Sequence, residues 1–179
     1  MMKNVLIIST SLRSRSNSDA LAEEFAQGAR AAGHSVEKIS LSGKKLNFCR
    51  GCLACLKTQT CVIQDDAGEI AQKLAQADVV AFATPVYYYE MAGQMKTLLD
   101  RMNPLYNTDY RFRDIYLLAA AAENEESAMD GAVNGLEGWI ACFPKAALKG
   151  VVRATGVDAA GAVAGRPILK QAYDLGQTC

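Results

Sequence analysis

The stretch that most constrains this chain is Val5-Leu6-Ile7-Ile8, followed at once by Ser9-Thr10-Ser11-Leu12-Arg13-Ser14-Arg15-Ser16-Asn17-Ser18. Four apolar residues in a row, with no polar alternation, predict a strand buried on both faces, as parallel sheets require. Leu21, Phe25 and Ala29 then recur every four residues, which predicts a helix from about Ser18. Strand, polar loop and helix start bring unpaired N–H groups and the positive end of a helix dipole to one place, the geometry that binds phosphate. This loop carries hydroxyls rather than glycines, and Arg13 and Arg15 add positive charge. The competing reading is a serine-rich surface loop that does no more than cap the helix.

The first helix is expected to end at Gly33, a residue suited to the position after a helix C-cap. Ser35 to Leu41 reads as a second, weaker strand. Gly43 to Cys61 is too long for a plain connection and is therefore expected to be functional. A helix from Asp65-Asp66 to about Ala77 leads into Val79-Val80-Ala81-Phe82-Ala83, a second doubly buried strand, which runs out into Thr84-Pro85-Val86-Tyr87-Tyr88-Tyr89. Met91, Met95, Leu98 and Met102 then fall at helical spacing, as core or as a subunit interface. Ile115 to Ala122 is the fourth predicted strand. Val133, Leu136, Ile140 and Phe143 form the apolar face of a helix that Pro144 ends. Leu148 to Val157, interrupted by Gly150, is the fifth strand. A small-residue linker leads to a last helix with Pro167 at its first position and Gly176 at its stop. Five alternations of strand and helix, without a repeat or a composition break, predict one domain over residues 1–179, an α/β three-layer sandwich on a five-stranded parallel sheet.

Ligands of such sheets lie beyond the carboxyl ends of the strands, where strand order reverses. For the order 2-1-3-4-5 the reversal falls between strands one and three, the two that end in the hydroxyl loop and in the Pro-Val-Tyr-Tyr-Tyr segment. Phosphate donors beside aromatic faces describe a mononucleotide with a large flat ring. There is no G-x-G-x-x-G and no G-x-x-x-x-G-K-[ST], so neither a dinucleotide fingerprint nor a P-loop is present. Ile8-Ser9-Thr10 offers no acidic residue of the kind a phosphoacceptor domain needs. The single histidine, His34, is expected to be a solvated residue at a helix end, so a Ser-His-Asp or Cys-His hydrolase is disfavoured.

Charge is balanced, with Lys plus Arg and Asp plus Glu at 19 each. That argues against a dedicated nucleic-acid or anionic-membrane binder. No apolar run approaches the length of a membrane span, and the start of the chain carries no signal-type apolar segment, so the expectation is a cytoplasmic protein. In a reducing compartment, six cysteines point to metal or redox chemistry rather than disulfides. Four of them, Cys49, Cys52, Cys55 and Cys61, fall within one short segment. Spacing of C-x2-C-x2-C with a fourth thiol nearby suits one corner of a [4Fe–4S] cubane better than zinc. A cluster and a set of redox or structural thiols both remain open on these residues. Cys142 is expected to be buried on its helix, and neither it nor Cys179 has an identifiable partner.

Three motifs carry a family resemblance. Thr10 to Ser18 resembles the phosphate loop of the NADPH-dependent FMN reductase family. Thr84-Pro85-Val86-Tyr87-Tyr88-Tyr89, followed by Gln94-Met95-Lys96-Thr97-Leu98-Leu99-Asp100-Arg101, is similar to that family's second flavin loop and helix. Cys49-Arg50-Gly51-Cys52-Leu53-Ala54-Cys55, then Cys61 and Asp65-Asp66, is similar to its iron–sulfur flavoprotein branch. Leu12 and Ser16 depart from the pattern, where relatives often carry proline and glycine; neither change removes a needed donor.

The resemblance implies a flavodoxin-like fold, bound FMN, NAD(P)H as electron donor, and a homodimer or homotetramer. Ser11, Arg13, Asn17 and Ser18 would hold the phosphate, with Ser9 and Ser16 in the same loop. Thr84, Pro85, Val86, Tyr87 and Tyr88 would line the ring, and Ala121, Ala122 and Glu123 would supply a third contact. With flavin-centred chemistry no side chain is required as acid, base or nucleophile. Electrons would pass to a flavin, a quinone or another acceptor. The alternative is an iron–sulfur flavoprotein exchanging electrons with a ferredoxin-like partner.

Overall fold

A computed structural model describes residues 1–179. Five parallel strands run in the order β2-β1-β3-β5-β6: β1 (Asn4–Ser9), β2 (Ser35–Ser40), β3 (Val79–Tyr87), β5 (Asp114–Ala120) and β6 (Ala147–Ala154). This is the expected 2-1-3-4-5 order. The labels differ only because a two-residue strand, β4 (Glu90–Met91), folds back antiparallel on β3.

The period-two geometry of the strands divides the core into two layers. Leu6 and Ile8 face α3 (Asp66–Gln76), α4 (Gly93–Asp100) and α5 (Asp130–Ile140), and pack with Ile70, Leu74, Met95, Leu98 and Leu136. Val5 and Ile7 face the opposite side, toward α1 (Asn17–Ala31) and α6 (Pro167–Thr178), where Leu21, Phe25, Ala29 and Ala172 lie. Sheet between two helix layers is a flavodoxin-like α/β sandwich. A one-turn helix, α2 (Cys55–Thr58), sits within the cysteine segment.

Local physics sets several boundaries differently from the sequence reading. Helix α1 begins at Asn17, one residue before the expected start, and is capped by Ser16, whose hydroxyl accepts from Asp19 N at 3.3 Å. At its other end Gly33 adopts φ +84°, and His34 N–H and Gly33 N–H return to Ala29 O and Arg30 O, the double bond of a Schellman motif. His34 is not solvated: Nδ1 accepts from Lys3 N at 3.5 Å, and Nε2 lies 3.0 Å from Cys179 O.

Strand β3 continues past Ala83 through Pro85 to Tyr87, and Met91 lies in β4 rather than in a helix. The whole methionine stripe, Met91, Met95 and Met102, is buried with Leu98 in the core. Cys142 is exposed rather than buried. Gly150 falls at the register shift between β5 and β6, where Lys149 is skipped.

Gly176 does not stop α6, which runs on to Thr178. A Cβ there would stand 2.1 Å from Phe25 O, and one on Gly28 would stand 2.0 Å from Tyr173 O. The two glycines let α1 and α6 touch backbone to backbone.

Candidate functional site

The site forms at the carboxyl ends of β1, β3 and β5, and two connected spaces make it up. A polar cleft of about 140 Å³ is lined by Ser11, Arg13, Ser16, Asn17, Ser18, Pro85, Val86, Tyr87, Ala120, Ala122, Val157 and Asp158. It shares Val86, Tyr87 and Ala122 with a groove of about 380 Å³ that adds Tyr88, Tyr89, Ala121, Glu123 and Ala128. Together they reach the several-hundred Å³ scale of small-molecule sites.

At the polar end, the N–H groups of Ser14, Arg15, Ser16, Asn17 and Ser18 meet no acceptor within the chain. Those of Asn17 and Ser18 belong to the first turn of a helix, where no intrahelical partner exists. Ser9 Oγ, directly beneath on the α1 face of the sheet, is buried and also unpartnered. Free donors concentrated at a helix N-terminus suit a phosphate.

Each expected site residue has a definite place. The Ser16 and Ser18 hydroxyls face each other at 3.0 Å. The Asn17 side chain is committed elsewhere: Nδ2 donates to Val157 O at 2.8 Å and Ala159 O at 2.9 Å, and Oδ1 accepts from Val163 N at 3.1 Å. Only its backbone N–H is left for an anion. Arg13 Nη1 donates to Asp158 O at 2.7 Å. Asn17 and Arg13 thereby make residues 157–163 the floor of the cleft. Thr84 is fully buried, its hydroxyl accepting from Ala92 N at 3.0 Å and donating to Pro85 O at 2.9 Å. It holds the start of α4 and does not line the cleft.

The aromatic end is a hairpin. Val86 pairs with Met91 and Tyr87 with Glu90, so Tyr88 and Tyr89 form a two-residue turn with φ of 51° and 65°. Positive φ at both positions is the type I′ geometry, which favours Asn-Gly and strains bulky residues. The tip presses on α5, where a Cβ on Gly131 would stand 2.3 Å from Tyr89 O and one on Gly135 2.9 Å from Met91 Cε.

Sequence reasoning missed Tyr89, Ala120, Ala128, Val157 and Asp158. The six glycines and alanines of residues 159–165 were the available signal for the floor, whereas Tyr88-Tyr89 carries none of the Asn-Gly chemistry that would announce a hairpin.

A second cluster lies at the far end of α4. Cys49, Cys52, Cys55 and Cys61 line one pocket with Arg50, Arg101, Asn103 and Pro104. All four thiols are free of disulfides. Burial, then the neighbouring sulfurs of Cys61, Cys52 and Cys49, push the Cys55 thiol up. Gly51 N–H approaches Cys49 Sγ at 3.5 Å.

Arg101, 2% exposed, closes the segment. Nη1 and Nη2 grip Asp65 at 2.7 and 2.9 Å and also donate to Asn47 O and Ile63 O. Asp65 in turn caps α3 through Ala67 N and accepts Asn47 N–H at 2.8 Å. Burial opposes its ionisation, but the Arg101 and Asn47 hydrogen bonds prevail and hold it at about 2.

No three Cys, His, Asp or Glu side chains gather closely enough to hold one metal ion. Four thiols converging on one pocket do match a cubane, in which each ligand binds a different iron. The space between them is about 20 Å³, so a cluster requires the segment to open. Cys49 and Cys52 are the exposed members of the set and lie outside any helix or strand, with Asn103 Nδ2 3.9 Å from Cys49 Sγ.

A flavodoxin-like sheet with a phosphate-type loop and an aromatic hairpin at its switch point defines the class. The chain belongs to the NADPH-dependent FMN reductase family, whose sequence profile matches residues 3–155. Among characterised relatives, an iron–sulfur flavoprotein of Archaeoglobus fulgidus is 45% identical over 73 residues, covering 41% of this chain and 33% of that protein. One from Methanocaldococcus jannaschii is 39% identical over 101 residues, covering 56% and 52%. The matches thus span between a third and about half of these relatives' lengths. A solved NAD(P)H:quinone oxidoreductase from Methanothermobacter marburgensis shares the fold, with TM-score 0.76 at 18% identity over 99% of this chain and 97% of that one. An azoreductase from Bacillus anthracis aligns with TM-score 0.73 at 18% identity over 99% and 100%. No helix is long and apolar enough to cross a membrane.

Proposed function

We propose that the protein is an FMN-dependent oxidoreductase that takes hydride from NAD(P)H and delivers electrons to a flavin, a quinone or another acceptor. One observation carries this: unpaired N–H donors and exposed tyrosines occupy opposite ends of one groove at the switch point. FMN supplies two-electron acceptance from NAD(P)H, which leaves as NAD(P)⁺, and onward release of those electrons.

The chain's own residues bind and orient. The backbone N–H groups of residues 14–18, with the Ser11, Ser16 and Ser18 hydroxyls and Arg13, hold the phosphate. Asn17 fixes the floor at Val157 and Val163. Pro85, Val86, Tyr87 and Tyr88 would line the ring, and Ala121, Ala122 and Glu123 would supply a third contact, where the two alanines leave room for a flat body. The exposed hairpin of Tyr87 to Tyr89 supports assembly into a homodimer or homotetramer, and six free cysteines support a reducing, cytoplasmic setting.

The cysteine pocket favours a second reading, an iron–sulfur flavoprotein that exchanges electrons with a ferredoxin-like partner. Cys49, Cys52, Cys55 and Cys61 would each donate a thiolate to a [4Fe–4S] cluster. The eight residues of α4, about 12 Å of helix, separate this pocket from the hairpin. Anaerobic purification with counting of FMN, iron and sulfide, followed by rapid mixing with NADPH and NADH, tests both readings. Flavin reduction by a nicotinamide supports the first, and its absence overturns it. Four irons lost on Cys52→Ser or Cys55→Ser, with FMN retained, support the second; iron-free wild-type protein overturns it.

A further inference from the structure

The buried guanidinium of Arg101 has an unassigned donor. Its Nη1 and Nη2 are fully engaged by Asp65, Asn47 O and Ile63 O. Nε has no acceptor although it is sealed from water. A buried donor without a partner is costly, which marks the place where a partner belongs. Arg101 lines the pocket of the four cysteines, Cys61 among them.

We propose that Arg101 is a positioning residue for a sulfur-ligated centre, its Nε–H donating to the sulfur at Cys61. The inference rests on the iron–sulfur reading above and deepens it. Rigidity supports the role. Asp65 locks the guanidinium bidentately, at the start of α3 and the end of α4, so Arg101, Cys55 on α2 and Cys61 form the fixed wall of the pocket. Cys49 and Cys52 are the exposed members of the same lining. A donor held by this ion pair fixes the sulfur it binds. It also disperses negative charge at that sulfur, which favours the reduced cluster and raises its potential. The Asp65 carboxylate balances the guanidinium charge, so the effect comes from a directed N–H rather than from bulk positive charge.

The test uses full-length protein reconstituted without oxygen, with iron and sulfide counted and the cluster potential measured by spectroelectrochemical titration. Arg101→Lys keeps a cation for Asp65 but has no Nε–H in that position. The double variant Arg101→Gln with Asp65→Asn removes both charges and leaves no lone carboxylate, so it serves where the lysine variant does not fold. The expected result is a shift of the cluster potential to more negative values in either folded variant, with FMN content unchanged. A merely structural role in closing residues 47–63 predicts partial iron loss with a wild-type potential in the clusters that remain, and that outcome overturns the proposal alone. Wild-type protein that takes up no iron overturns both the proposal and the iron–sulfur reading.

Discussion

Arg101 and Asp65 form a bidentate ion pair with both side chains almost wholly out of water, 0% and 2% exposed. Because the Asp65 carboxyl sits at about 2, below its value in an unfolded chain, its contribution is complete above about pH 4. It is lost as the pH falls from there through about 2, and the shift corresponds to about 2 kcal/mol. Asp65→Asn should remove this acid limb from the stability–pH curve. It should also lower neutral stability by about 3 kcal/mol or more, since a buried guanidinium loses its partner. Urea unfolding at a series of pH values measures both effects. An unchanged acid limb would place the titration on another carboxyl.

The Asn17 side chain is expected to matter for FMN without touching it. Asn17→Leu leaves Val157 O, Ala159 O and Val163 N without their partner. Each lost bond is worth about 1 kcal/mol, so the floor of the cleft should loosen. FMN affinity should fall by about tenfold or more, and amide exchange at residues 157–163 should quicken. Wild-type affinity with faster exchange would show that the floor does not support the ligand.

The hairpin tip stores backbone strain at Tyr88 and Tyr89, about 1 kcal/mol or more at each left-handed residue. Replacing them by Asn and Gly, the favoured type I′ pair, should raise the melting temperature by about 4 to 8 °C. If the tyrosines cover the flavin, its fluorescence and potential change at the same time. Tyr88 is 99% exposed, so no core contact offsets the gain. A lower melting temperature would contradict the strain assignment.

Glycines in two helices should respond oppositely to alanine. Gly176→Ala drives a methyl group into Phe25 O at 2.1 Å and should cost about 3 kcal/mol, lowering the melting temperature by about 5 °C or more. Gly68, inside α3 with open space around its Cβ position, should gain about 0.5 to 1 kcal/mol on the same change. Thermal unfolding of the two variants decides between backbone contact and simple helix propensity as the reason for each glycine.

By itself, the sequence determined the doubly wound α/β sheet and the two loops that follow its central strands, while the strand order came with the family resemblance. The sheet and the loops follow from signals of short range: unbroken apolar runs, a hydroxyl loop before a helix, and apolar spacing of three and four. Val5 to Ile8 and Val79 to Ala83 lie in the two strands that flank the reversal. What only the tertiary structure decided depends on partners far apart in the chain. Asn17 reads as a phosphate ligand until Val157 and Val163, about 140 residues away, take its carboxamide. Gly176 reads as a helix stop until Phe25 of α1 arrives against it. Thr84 reads as a ligand residue until Ala92 claims its hydroxyl. Arg101 is only the last residue of a family-like helix motif in the sequence, until Asp65 and the cysteine pocket enclose it. A polar side chain has more than one possible use, and packing chooses among them by excluding water and placing one acceptor within reach. Periodicity in the chain holds no record of that choice.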